Sequence, residues 1–399
     1  MKKLFYFLCC TFIFLNITST STVTFSEFQL ENSEKNLDQQ RDNLDFEEIY
    51  KEQFRLSGAD RLKKELPKEI EKDLDFLGIE NIDWKDLSKL DIKKVYIFIL
   101  NKFKNRIPSV IKSILTVLSL IIICSIFLSA KLSIDKKKIE KVLNFVCTLS
   151  ICIVIIKPIV GAILKAANII GILSKFTMSY IPIMAGIMYA SGQSLLGGTY
   201  STVMILFSEF IMQISAKVLI PILNIFLAVS IATSLPSNCS FSNVCSIFSK
   251  AVKWIIGIST TMFVGVLLVQ SVITSAADNV GTKTLKFMIS GSVPVVGKTL
   301  GDALLVINGS IKLLKSGVGA FFLLAVGIIF IPVILDCLIF KFINVISLNL
   351  SEAFGITNAS KLIKSTTEVL NLLLIIMLCC FIVLIVSTSL IILINPINL

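Results

Sequence analysis

Beyond residue 110 the sequence is written in long apolar runs separated by short polar stretches, and it keeps that pattern almost to its end. The first run is 110–130, followed by the basic stretch KLSIDKKKIEK at 131–141. Runs at 142–164 and 200–235 come next, the latter holding Glu209, Lys217 and Pro221. After the loop 236–253 there are runs at 254–275, at 318–340 (interrupted by Pro332 and carrying Asp336) and at 369–394. About 20 apolar residues let a helix cross a bilayer, and thirty-odd allow one kinked helix or two short ones. The pattern predicts an all-α integral membrane protein with about seven transmembrane helices.

Ahead of these runs the spacing is that of small amphipathic helices. Leu44, Ile49 and Phe54 stand among charges, and Ile70, Leu74 and Leu77 recur at i, i+4, i+7. Asp83 before Trp84 reads as an N-cap, and Tyr96, Ile97, Ile99, Leu100 and Phe103 read as an amphipathic helix leading to the membrane, with Pro108 as a break. Residues 1–22 have the form of a secretory leader: Lys2 and Lys3, an apolar core at 4–15, then small residues. A leader exports the segment attached to its C-terminal end, and the basic loop after the first run belongs in the cytoplasm. One crossing between them satisfies both conditions. The expected organisation is a signal peptide at 1–22, an extracytoplasmic helical segment at 23–107 and a polytopic membrane domain at 108–399.

Within the membrane domain a repeat with a period of about 112 residues emerges. KFTMSYIPIMAGIMYASG at 175–192 is written again, with one insertion, as KFMISGSVPVVGKTLGDA at 286–303. The run 142–164 matches 254–275, and Pro221 matches Pro332, giving units at about 142–235 and 254–345. Such symmetry is common in transporters, whose interrupted helices meet near the midplane, and also arises by duplication in membrane scaffolds. A motif that crosses the membrane inverts the second unit, whereas one that re-enters keeps the units parallel. Lysines at 283, 286, 298, 312 and 315 favour a cytoplasmic second motif and the inverted arrangement.

Composition narrows the chemistry. Hydrophobic residues make up 55% of the chain and charged ones 16%. The net charge is +11, and beyond Pro108 there are 20 lysines against 8 acids. These lysines lie at the ends of apolar runs, where cations fix topology, so the basic balance is no sign of nucleic-acid binding. Histidine is absent. That removes the usual general base and the commonest metal ligand, so neither an enzyme nor a cofactor is expected. Of the ten cysteines only Cys239 and Cys245 fall in a polar loop, where they could pair if it is extracytoplasmic.

GSVPVVGKT imitates a phosphate-binding loop, but Gly291 stands six residues before Gly297 where five are required, and Pro294 removes an amide. A glycine-proline break in a membrane segment is the better account. Charges inside or beside apolar runs default to a functional hypothesis, with snorkelling to an interface as the alternative. They are Glu209, Asp278, Asp302, Asp336, Lys157 and Lys217. Glu209 and Lys217 are eight apart, two helical turns, and are expected to face one polar cavity. Pro182, Pro221, Pro294, Gly297 and Pro332 are the candidate breaks.

At the second motif the chain resembles the stage III sporulation protein AE family of endospore-forming bacteria. The matching residues are Ser290, Val293-Pro294-Val295-Val296-Gly297, Asp302-Ala303 and the segment 312–319; Ile181-Pro182 and Ala190-Ser191-Gly192 of the first motif fit as well. The leader, the exported segment and the length of about 400 residues agree. The resemblance implies a place in the mother-cell membrane around the forespore, within an assembly of other stage III sporulation membrane proteins. That assembly is proposed to join the two cells by a channel. It implies no catalytic residues.

Overall fold

The computed structural model describes residues 46–79, 82, 86–87, 91–129, 136–234, 242–292 and 297–393. All regular structure among them is helical. Four short helices come first: α1 (Phe46–Ser57), α2 (Arg61–Lys64), α3 (Lys68–Phe76) and α4 (Ile92–Lys104). The apolar α5 (Ile107–Ser129) follows directly. Then come α6 (Lys136–Ala190), a run made of α7 (Ser194–Val203), α8 (Glu209–Ile214) and α9 (Ile220–Ser234), and the long helices α10 (Ser242–Ser292), α11 (Gly297–Ala353) and α12 (Thr357–Leu393). The expected leader, Asp83, Cys239 and Pro294 lie outside the described residues.

Among the described residues five helices are long and apolar enough to cross a membrane, and Ile111–Phe127 within α5 is a further apolar stretch. The all-α membrane architecture read from the hydropathy pattern is therefore the observed one. Separate helices are fewer than the runs and motifs suggest, because three expected breaks, at Pro182, Pro221 and Pro332, lie within continuous helical runs. The stretch 175–190 continues α6 without interruption, with Pro158 and Pro182 inside the helix. At 1.5 Å per residue its 55 residues reach about 80 Å, well beyond a hydrocarbon core of about 30 Å. The run 194–234 is likewise continuous, its segments joined by π-helical turns at Met204–Ser208 and Ser215–Leu219. The second π turn has a local cause. Pro221 has no N–H and its ring crowds the carbonyl four residues back, so the turn before it widens rather than breaks.

Among the described residues two turns between long helices are made by glycine. Gly192 (φ 77°) and Gly355 (φ 70°) adopt the left-handed conformation that closes a helix. In each case the next amide reaches back five residues, Gln193 N to Met188 O at 3.0 Å and Ile356 N to Ser351 O at 2.9 Å. These caps set two antiparallel hairpins, α6 with α7–α9 and α11 with α12. The first is tight at Gly197, where an added Cβ would lie 3.1 Å from the Ala185 carbonyl oxygen and 3.2 Å from Met188 Cβ. Gly197→Val should lower stability by about 1–3 kcal/mol, because the backbone cannot yield. Gly198→Ala meets only the Tyr189 hydroxyl end, which can swing away, and should cost little; thermal unfolding in detergent distinguishes the two.

The core forms where α11 meets α6 and α12. Antiparallel register between α6 and α11 is fixed by three contacts in sequence, Lys165 with Asp336, Tyr180 with Phe322 and Met184 against Gly319, and Gln193 in the turn after α6 continues it to Lys315. On the other side, Asn344 bonds Thr366 at 3.2 Å, Phe330 meets Phe381 edge-on, and Gly319 faces Ile392. The α7–α9 run packs antiparallel on α10 through Phe207 with Phe263 and Ser230 with Cys245.

The amphipathic helices do not stand apart. Leu62, Leu74, Leu77 and Phe98 are buried, and the group lies along α11: Gln53 bonds Ser310 at 2.6 Å, Phe46 approaches Gly309, and Arg106 pairs with Asp336. α4 is capped by Asp91, whose carboxylate accepts from Lys93 N at 2.8 Å.

Candidate functional site

Polar groups inside an apolar bundle must be satisfied or explained, so they mark where function can reside. Three groups of them sit along α6.

At one end lies Asp336 of α11, with only 10% of its side chain exposed. Arg106 Nε donates to Oδ1, and Lys165 Nζ donates to Oδ2 at 3.0 Å. Arg106 also holds the Lys102 carbonyl at 3.2 Å, and Lys102 pairs with Asp73 at 2.7 Å. The carboxylate therefore ties the N-terminal helices to α6 and α11. At the opposite end the fully buried Lys315 reaches Gln193 Oε1 at 3.4 Å, and Ser191 Oγ approaches the same oxygen at 3.4 Å. Lys315 and Asp336 are 21 residues apart, about 31 Å along a helix, and 318–335 carries no charge between them. That length matches the hydrocarbon core of a bilayer.

Between these ends is Glu209, the first residue of α8 after a π turn. Its Oε2 accepts from Ser174 Oγ at 2.6 Å, and its Oε1 accepts from Gln213 Nε2. The Oε1 of Gln213 is buried with no donor. Nearby on α6 the Thr177 hydroxyl is also buried without a partner, while the buried hydroxyls of Tyr180, Tyr200 of α7 and Thr388 of α12 come together.

Glu209 and Lys217, expected from their eight-residue spacing to face one polar cavity, differ in their surroundings. Lys217 is exposed within the second π turn, while Glu209 is half-buried against α6. At 3.6 residues per turn eight residues make about 2.2 turns, so the two side chains are already about 80° apart around the helix. Pro182 and Pro332 lie inside α6 and α11, and Pro221 follows the second π turn. Gly297 opens α11, and Asp302 lies in its second turn. Lys157 is exposed on α6, and Asp278 lies in α10.

Arg106, Lys165, Ser174, Gln213, Gln193 and Lys315 are the residues that spacing did not single out. Arg106 and Asp336 are 230 positions apart, and Lys165 and Asp336 are 171 apart. No local pattern links them. Among the described residues no group of three or more metal-ligating side chains is present.

Residues 82–395 match the protein family described as Stage III sporulation protein AE. A curated relative, the Stage III sporulation protein AE of Bacillus subtilis (strain 168), is 22% identical over 204 residues, 51% of this chain and 51% of that protein. The chain thus spans about half the length of the curated relative it matches. No solved structure matches.

Proposed function

This chain belongs to the stage III sporulation protein AE family, and from that membership we propose that it is the polytopic, permease-like membrane component of a sporulation transport complex. In this reading it works in the mother-cell membrane around the forespore, beside other stage III sporulation membrane proteins, and catalyses no reaction. Its leader exports residues 23–107, and its two repeat units are inverted. The observation that carries the reading is the family match, which extends over nearly the whole membrane part.

The test is deletion of the gene in its own host. Vegetative growth should be unchanged while heat-resistant spores fall by orders of magnitude, and the other stage III membrane proteins should co-purify with the tagged chain from sporulating cells. Normal spore yield removes the reading. Topology is checked by cysteine labelling at 236–241 and at 283–298 in a cysteine-free background. The inverted arrangement requires opposite sides, with the first loop outside; labelling of both from one side discards it.

A self-contained small-molecule or ion transporter is the second reading, favoured by the half-buried carboxylate of Glu209 within an apolar run. Loss of sporulation in Glu209→Gln at normal protein level supports transport. Loss only on deletion of residues 23–107, with Glu209 dispensable, supports a platform for assembly.

A further inference from the structure

Glu209 and Gln213 stand one turn apart on α8, between two π turns, and Ser174 faces them from α6. The carboxylate receives two neutral hydrogen bonds, and among the described residues no ion pair includes it. Its charged neighbours point elsewhere. Lys217 of the following π turn and Lys175 of α6 are exposed, Lys165 of α6 is bound to Asp336, Lys253 of α10 is bound to Glu368, and Lys315 of α11 reaches Gln193. α12 carries no charge from Val369 to Leu393. An ionised carboxylate in an apolar run costs several kcal/mol unless a positive charge joins it.

Beside this uncompensated anion lies an acceptor with nothing to accept. Gln213 gives its amide N–H to Glu209, which leaves its Oε1 buried without a donor. A half-turn of the amide brings that oxygen to the carboxylate instead. Two oxygens then face each other, an arrangement that is stable only with a positive charge between them. We propose that Glu209, Gln213 and Ser174 form a binding site for a small monovalent cation, an alkali ion or a proton. The cation sits between the carboxylate and Gln213 Oε1, with the Ser174 hydroxyl completing an all-oxygen shell. A hard cation takes oxygen ligands of this kind, and a proton on the carboxylate donates to the turned amide in the same geometry. The adjacent π turns give the helix room to tighten around its ligand.

The site stands whether or not the chain acts in sporulation, because binding is read on the purified protein. The full chain in nanodiscs is prepared in choline chloride, and its thermal unfolding midpoint is followed in two series. The first adds sodium or potassium chloride against equal choline chloride at fixed pH; the second lowers the pH in choline chloride. A ligand that binds only the folded state raises the midpoint by mass action, by several degrees at saturation. The wild type should respond in one series, and that series identifies the cation. Glu209→Gln should abolish the response while keeping a midpoint in choline chloride at least equal to that of the wild type. Ser174→Ala, a smaller change, should move the half-saturating concentration several-fold higher. A wild type indifferent to both series, or a Glu209→Gln protein that responds like the wild type, overturns the proposal.

Discussion

Replacing Phe322 with alanine is expected to destabilise the bundle by about 3 kcal/mol, among the largest effects of any single truncation in the chain. Phe322 is fully buried in α11, stacked on Tyr180 at 3.8 Å between centroids and on Phe176 at 5.2 Å. Lipid tails are as apolar as the ring, so transfer out of water contributes little to holding helices together in a membrane. Contact is what the truncation removes. Both stacked rings lose a face, worth roughly 0.5–1.5 kcal/mol per pair, and the cavity forfeits the dispersion of a whole side chain. The site cannot collapse easily, since Gly319 one turn away already brings Ile392 and Met184 close. Phe322→Leu retains much of the volume and should cost well under the alanine value. Thermal unfolding of the detergent-solubilised proteins reads both; an alanine variant within about 1 °C of the wild type would show that this stack is not the centre of the packing.

Asp336→Asn is expected to cost about 2–3 kcal/mol and to loosen the N-terminal helices specifically. The substitution is nearly isosteric, so packing is kept and only charge is lost. Arg106 is then left partly buried with 26% of its side chain exposed, and Lys165 loses its partner. Lys165 is 63% exposed and turns to solvent or headgroups at little cost, which is why the effect falls below that of a fully buried pair. Limited proteolysis should cut residues 46–106 faster in the variant than in the wild type. Adding Arg106→Gln should recover part of the loss, because the stranded cation is gone. Equal proteolysis rates in the variant and the wild type would mean that another contact, such as Gln53 with Ser310, holds the segment.

Much of this was legible in the chain itself. Apolar runs of membrane length and an amphipathic stretch before them established an all-α membrane protein. The unusual status of Glu209 and Asp336 was also readable, since a carboxylate in a long apolar run is costly wherever the run is placed. The residues that answer them were not. Ser174 and Gln213 are ordinary polar residues on apolar stretches, and Arg106 belongs to a segment that reads as soluble.

The errors have the same origin. Pro182 and Pro221 are strong breaking signals locally, yet α6 runs through the first and a π turn absorbs the second. Neighbouring helices make up for the missing backbone bond in a way that no sequence window records. Counting eight residues as two turns, by contrast, overlooked that an α-helix makes about 2.2 turns over that length, which already sets Glu209 and Lys217 on different sides.

The sequence by itself determined the solvent of this protein, the existence of its long helices and which of its charges are exceptional. Those properties come from composition and periodicity, which act over tens of residues. Only the tertiary structure decided that Asp336 closes a link between the N-terminal helices and the bundle, that Glu209 faces Ser174 and Gln213 instead of Lys217, and that α6 and α11 align along their length. These depend on helix register and on contacts between residues far apart in sequence, where one additional residue in a turn reorients every side chain beyond it.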